Sequence, residues 1–430
     1  LFIRGNKFLT KEKIKILTLG DMPLLPSGVG TQTKYMIEAL LETGKFKVLS
    51  MGGAIDHPDH TPIKVEPYMD DWIIFPVNGY GDQNMVRAML SMHKPDIVWF
   101  MTDPRFYEWL WQMDNEIRQS VPLVYYHVWD NYPYPHFNQK FYNSNDYIAT
   151  ISKVTSDIVQ TVAPDVEEKY IPHAVDCEIF RKFDRTPQEE HLIKSLKHKN
   201  SQDKVVFFWN NRNARRKQPG TLMFWFKEFL DIVGHDKAIL LMHTELQDPH
   251  GQPLDYMAES LGCTEGQFMF SVNKMPPEEL ARMYNIADCT INIADAEGFG
   301  LATLESLSCE TPIIVNMTGG LQEQVTDGEN WFGIGLNPTS KSVIGSQQVP
   351  FIREDRINKE EFIDALLKIY NMSPADRAAL GKEGRKHVMT NYNFEDFKKT
   401  WVEEMLHIHE KYGSRETRKN YTRWECKEVK

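Results

Sequence analysis

Short apolar runs punctuate the whole chain, and the stretches between them change character. In the first half the runs are Ile14 to Leu19, Lys47 to Met51, Trp72 to Val77, Ile97 to Met101, Val121 to Val128 and Tyr147 to Ile151. In the second half they are Val205 to Trp209, Ala238 to Met242, Phe268 to Val272 and Cys289 to Ala294. Runs this short and this continuously apolar predict strands buried on both faces. Helical spacing appears between them. Met36, Ala39, Leu40 and Thr43 recur at that spacing until Gly44 stops it, and Leu280, Tyr284 and Ala287 share one face of Pro276 to Ala287. Near the end, Phe394, Phe397, Trp401, Met405 and Ile408 form a single apolar stripe. Strands alternating with helices predict an α/β fold with parallel sheets, whose ligands gather beyond the carboxyl ends of the strands.

Length then sets the number of bodies: 430 residues exceed one compact core and predict two domains. A hydrophobic content of 41% with 25% charged residues is that of a soluble globular protein. The net charge of -11 argues against a surface built wholly for polyanions. No apolar run reaches membrane-span length, and no signal-peptide pattern is evident. Cys177, Cys263, Cys289, Cys309 and Cys426 are scattered without Cys-x-x-Cys spacing, which predicts a reduced, cytoplasmic setting and no structural zinc. Asp56 to His60 reads as a solvated loop, not a metal site, because no third separated ligand group adjoins it.

Candidate chemistry clusters at three strand ends. After Ile14 to Leu19 comes a glycine loop with Gly28 and Gly30, where the backbone can approach a phosphate closely. After Val205 to Trp209 comes the basic run Arg212 to Lys217, placed to meet a diphosphate. After Cys289 to Ala294, Glu297 and Glu305 flank the turn Gly298, Phe299, Gly300 and Leu301, which opens a helix and aims backbone N–H groups at an anion. Glu305, about two helical turns on, is expected at a different depth on a similar helix face. Two further strand ends in the first half carry Asp103, and His127 with Asp130 and the aromatic segment from Tyr132 to Phe137.

The stretch from Asp288 to Gly320, with Glu297, the Gly-Phe-Gly-Leu turn, Glu305, Thr311, Pro312, Gly319 and Gly320, closely resembles the nucleotide-sugar signature of the family-4-type retaining glycosyltransferases of the GT-B fold. The resemblance implies two doubly wound Rossmann-like domains facing a central cleft, with a C-terminal helix crossing back to the first. Expected bounds are 1–190 for an acceptor-side domain, 191–203 for a linker, 204–393 for a donor-binding domain and 394–430 for the crossover helix and a charged, solvated tail.

By the same resemblance, Arg212 and Lys217 meet the donor diphosphate without a metal ion, and Gly28 and Gly30 lie over it. Glu297 and the backbone of Phe299 to Leu301 hold sugar hydroxyls, Glu305 holds the ribose, and His127 faces the sugar from the other domain. His127, Glu297, Arg212 and Lys217 are thus the catalytic candidates, and Asp103, Asp130 and Tyr132 the acceptor-side ones. No cofactor is required, since the UDP- or GDP-linked sugar is itself a substrate. The acceptor stays open between a carbohydrate, lipid-linked or small molecule and a hydroxymethylated base in DNA. A non-catalytic sugar-nucleotide-binding protein is a further alternative. The sequence departs from the pattern at Asn211, His173, Ala174 and Glu310, and Asn337 to Asn358 is longer than the usual connector.

Overall fold

A computed structural model describes residues 12–129, 132–184, 186–187 and 204–422. Asp130, the expected linker 191–203 and Cys426 lie outside the described residues. The apolar runs assemble into two sheets. The first takes β1 (Ile14–Asp21), β2 (Phe46–Gly53), β3 (Ile63–Lys64), β4 (Trp72–Pro76), β5 (Ile97–Thr102), β6 (Leu123–His127), β7 (Tyr147–Thr150) and β8 (Glu167–Tyr170) in the order β3-β4-β2-β1-β5-β6-β7-β8. All neighbours are parallel except β3 with β4. The second takes β9 (Val205–Asn210), β10 (Ala238–His243), β11 (Phe268–Ser271), β12 (Cys289–Asn292), β13 (Ile313–Asn316) and β14 (Gly333–Leu336) in the parallel order β11-β10-β9-β12-β13-β14. Every residue of β5, β6 and β12 is buried, as strands covered by helices on both faces must be.

Strand order fixes where ligands can sit. In the first sheet it reverses between β1 and β5, and in the second between β9 and β12. At such switch points the crossover helices diverge to opposite faces and leave a crevice beyond the strand ends. The glycine loop follows β1, the basic run follows β9 and the Gly-Phe-Gly-Leu turn follows β12, so the three motifs occupy the two crevices.

The apolar stripe near the end lies on the helix Phe394–Tyr412, capped by the Asn393 side chain. This helix returns to the first sheet. Trp401 is fully buried edge-on to Trp99 and Tyr126, with ring centroids 5.9 and 4.9 Å away. The Tyr147 hydroxyl donates to Glu404 at 2.7 Å, and that of Tyr412 to the Asp146 carbonyl at 2.8 Å. Beside the helix's start, Val175 and Asn393 form an isolated parallel bridge, so the chain leaving the first sheet and the chain returning to it run side by side.

Two expectations change. The tail after Gly413 is solvated only in part: Glu416, Thr417, Lys419, Asn420 and Thr422 are exposed, but Arg418 donates to buried Asp146 at 2.7 Å, and Ser414 to Asp96 at 2.8 Å. Charge complementarity with carboxylates at the base of the sheet draws this polar segment inward. The segment from Asn337 to Asn358 is not a plain connector either. It folds into an antiparallel hairpin, β15 (Ser340–Ile344) with β16 (Ile352–Arg356).

Candidate functional site

Beyond β9 the chain makes a single 3-10 turn, Arg215–Lys217, and Gln218 then adopts a left-handed conformation (φ 57°) ahead of Pro219, the first residue of the helix Pro219–Val233. This tight reversal turns Lys217 inward. Its ammonium pairs with the Glu297 carboxylate, both side chains being about nine-tenths buried. Arg216 donates to the Ala296 carbonyl at 2.6 Å and stands 3.9 Å from the other Glu297 oxygen. Asn292, at the end of β12, reaches the same carboxylate at 3.4 Å. Burial alone would raise the Glu297 carboxyl, but Lys217 and Arg216 outweigh it and hold the group ionised below its ordinary range.

The glycine turn is shaped from behind. Gly300 has φ 93°, which L side chains rarely adopt, and it opens the helix Leu301–Ser308. Gly320 packs so closely that a Cβ there would stand 2.6 Å from Phe299 Cα, while its own N–H donates to the Glu297 carbonyl at 3.1 Å. The Phe299 ring faces inward, with the His173 ring 5.1 Å away and that of Tyr392 at 5.9 Å, so its backbone is what remains for a ligand. Glu305 accepts from the Tyr284 hydroxyl at 2.7 Å, and burial pushes its carboxyl up to about 7 against that bond. Glu297 precedes the helix and Glu305 lies within it, so the two do not share a helix face as expected. They answer to different neighbours, one to cations and the other to a phenol.

The two crevices face each other. A Cβ on Gly28 would come 3.2 Å from Leu301 Cδ1, which sets the first-sheet glycine loop directly against the second-sheet turn. Gly30 has no room for a side chain beside the Met22 and Leu25 carbonyls, each 2.9 Å from where its Cβ would be.

The structure does not draw every predicted residue into this group. The Arg212 guanidinium is forked onto Asp248, with bonds of 2.7 and 3.1 Å, and its side chain is 63% exposed. Arg216, which spacing alone did not select, is the arginine beside Glu297. His127 is wholly buried: one ring nitrogen is hydrogen-bonded to the Tyr142 hydroxyl at 2.7 Å, and burial pushes its pKa down to about 3. The rings of Tyr125 and Tyr142 stand edge-on to it, and its Nδ1 is buried without a hydrogen-bond partner among the described residues. Asp103 caps the short turn Pro104–Phe106 and takes a fork from Arg105 at 2.9 and 2.8 Å. Tyr132 accepts at its carbonyl from the Arg353 N–H of the hairpin at 3.1 Å.

Sequence reasoning did not single out Asp295, which burial pushes up to about 6 against Gln218 and Arg356. Its position two residues before Glu297, in the same loop, was the available signal. In the loop after β2, His57 and His60 direct ring nitrogens at the Gly52 and Pro76 carbonyls, at 3.0 and 2.9 Å. Among the described residues no group of three His, Cys, Asp or Glu side chains could hold a metal ion. No described helix is long and apolar enough to cross a membrane.

Residues 197–387 match the protein-family model described as Glycosyl transferases group 1. D-inositol 3-phosphate glycosyltransferase 1 of Catenulispora acidiphila is 29% identical over 191 residues, which cover 42% of this chain and 43% of that protein. The matched stretches span 26%, 43% and 30% of the first three curated relatives, less than half of each. Among solved structures, sucrose-phosphate synthase from Thermosynechococcus elongatus superposes with a TM-score of 0.72 at 15% identity, covering 93% of this chain and 100% of that one. Anabaena HepE in complex with UDP-glucose gives 0.65 at 14% identity, covering 92% and 100%. With a group 1 match across residues 197–387 and likeness to these structures along nearly its whole length, this chain has the fold of a GT-B glycosyltransferase.

Proposed function

We propose that the protein is a retaining glycosyltransferase that moves a sugar from a nucleotide diphosphate donor to an acceptor hydroxyl. Residues 1–190 form the acceptor-side domain and 204–393 the donor side. The observation that carries this reading is the buried Lys217–Glu297 pair set against the Gly298 to Leu301 turn, with the Gly28 loop facing it from the first sheet.

In the reaction the acceptor oxygen bonds to the anomeric carbon on the face from which the diphosphate leaves. The bond from that carbon to the diphosphate oxygen breaks, its electron pair stays on the departing oxygen, and that oxygen takes the acceptor's proton. Negative charge therefore grows on the leaving group, and a cation fixed in place before the reaction favours that state over the ground state. Lys217 is held there by Glu297, with Arg216 beside it. Arg212 reaches the diphosphate by exchanging its Asp248 fork for phosphate oxygens. These cations serve the role a divalent metal fills elsewhere, and activity is expected to persist in chelator. Glu297 and the N–H groups of the turn orient sugar hydroxyls, and Glu305 accepts from the ribose. The free, buried thiols of Cys177, Cys263, Cys289 and Cys309 support a reducing, cytoplasmic setting.

A screen of UDP- and GDP-linked sugars by thermal stabilisation, followed by donor hydrolysis in the presence of chelator, tests the proposal. A stabilising nucleotide sugar that wild type hydrolyses, and that Lys217→Ala turns over about 10²-fold more slowly, is the expected result. Absence of binding by any donor, or an unchanged rate in Lys217→Ala, would sink it.

A further inference from the structure

The hairpin β15–β16 belongs by sequence to the second half, yet its two ends hold different parts of the protein. At its base, the Asp355 N–H donates to the Asp295 carbonyl at 2.8 Å, and Thr318 donates to the Asp355 carboxylate at 2.7 Å. Glu354, almost wholly buried, receives Arg215 at 3.0 Å, and Arg356 stands 3.1 Å from Asp295. These bonds tie the base to the loop that carries Glu297. Its tip crosses to the first sheet's side: Val349 is buried in that side's hydrophobic core, Phe351 meets Phe137 edge-on at 5.3 Å, and Arg353 bonds the Tyr132 carbonyl.

Under the hairpin lies a cavity of about 250 Å³, lined by Asp103, Arg105 and Trp129 from the first side, Arg216 from the second, and Ile344 and Ile352 from the hairpin. Its chemistry is divided. Its polar lining is the Asp103–Arg105 fork and the Arg216 guanidinium, groups that accept from and donate to hydroxyls. Its apolar lining is an indole and branched aliphatic side chains, suited to the C–H face of a ring. A volume below the roughly 300–1,000 Å³ of ordinary small-molecule sites limits the occupant to one ring. Arg216 also bonds the Ala296 carbonyl, so the cavity adjoins the Lys217–Glu297 pair.

We propose that this cavity is the acceptor subsite, that it takes a single polyhydroxylated ring, and that the hairpin is the wall that selects it. The proposal rests on the glycosyltransferase reading. The test uses the full chain saturated with the nucleotide of the donor found in the screen, UDP or GDP, and a probe set of myo-inositol, methyl α-glucoside and glucose 6-phosphate, with binding read by saturation-transfer NMR. Ile344→Trp and Ile352→Trp each fill the cavity from a different strand and clash with a bound ring. At least one probe is expected to bind wild type and to lose about tenfold or more in affinity in whichever variants keep the wild-type melting midpoint, with nucleotide affinity by calorimetry within about twofold. Equal probe binding by wild type and both variants overturns the proposal, as does the absence of any probe binding to nucleotide-loaded wild type. Sugar transfer to duplex DNA carrying hydroxymethylated bases, undiminished in the variants, overturns it too. Failure of wild type to bind UDP and GDP alike removes the underlying function reading, and this assignment falls with it.

Discussion

Glu305 shows how one buried carboxyl can make ligand binding depend on pH. Its pKa near 7 comes from burial, so close to neutrality the ligand-free protein holds it partly protonated. Without ligand, the stability linked to this raised group is full below its ordinary value of 4.5 and is lost as the pH rises through about 7. Donor binding has the opposite slope, because ribose hydroxyls donate to the ionised form and favour it. Affinity for the donor found in the screen, measured by calorimetry, is expected to rise by up to about tenfold between pH 5.5 and 8 and to rise less steeply in Glu305→Gln. The diphosphate diester of the donor does not titrate in that window, and the Asp295 carboxyl, near 6, does so in both proteins, so an identical slope in wild type and Glu305→Gln would remove the ribose assignment.

The sequence carried much at this scale. A glycine turn between two glutamates and a lysine after the first strand of the second half singled out Lys217 and Glu297, which the structure pairs, and Glu305, which it bonds to Tyr284. The identity of the arginine beside Glu297 was not readable, because it depends on Asp248, a partner on another loop that claims Arg212. The burial of His127 was hidden for a similar reason: Tyr142, which covers it, comes from a short helix with no periodic signal strong enough to place it.

At the level of elements, the turn Gly298 to Leu301 is formed as much by the segment behind it as by its own residues. Gly320 is required by close approach and not by its own backbone angles. A methyl group there must push the Phe299 backbone outward. Gly320→Ala is expected to cost about 1–3 kcal/mol of stability and to weaken donor binding in calorimetry, whereas Gly328→Ala, in open space at φ 100°, should spare donor binding. Equal donor affinity in Gly320→Ala and wild type would separate the turn's shape from its function.

The long buried strands were plain in the sequence because each is apolar at nearly every position. β8, which reads Glu-Glu-Lys-Tyr at a sheet edge, and β14, with two glycines in four residues, carry no such pattern. β15 is equally obscure, since Ser340 to Ile344 is largely exposed and what steadies the hairpin's tip lies on the other side of the cleft. Contacts between halves leave little trace in local periodicity.

For the molecule as a whole, the helix Phe394–Tyr412 makes the first sheet's core depend on the last part of the chain. Trp401→Ala removes the ring that fills the space between Trp99 and Tyr126, and is expected to cost about 3–5 kcal/mol, read as a lower thermal midpoint. An unchanged midpoint would mean that the returning helix is an ornament on a self-sufficient first half. The apolar stripe foretold this helix, and the resemblance supplied where it goes.

The bridge between Val175 and Asn393 bears on motion. Both strands of chain that link the halves pass through one place, like a door hung on two adjacent pins, so the jaws can part only by swinging about that line. Any such swing must also pull Val349 out of its seat among the first half's side chains. Substrate entry and the grip of a hairpin tip are thereby made a single event.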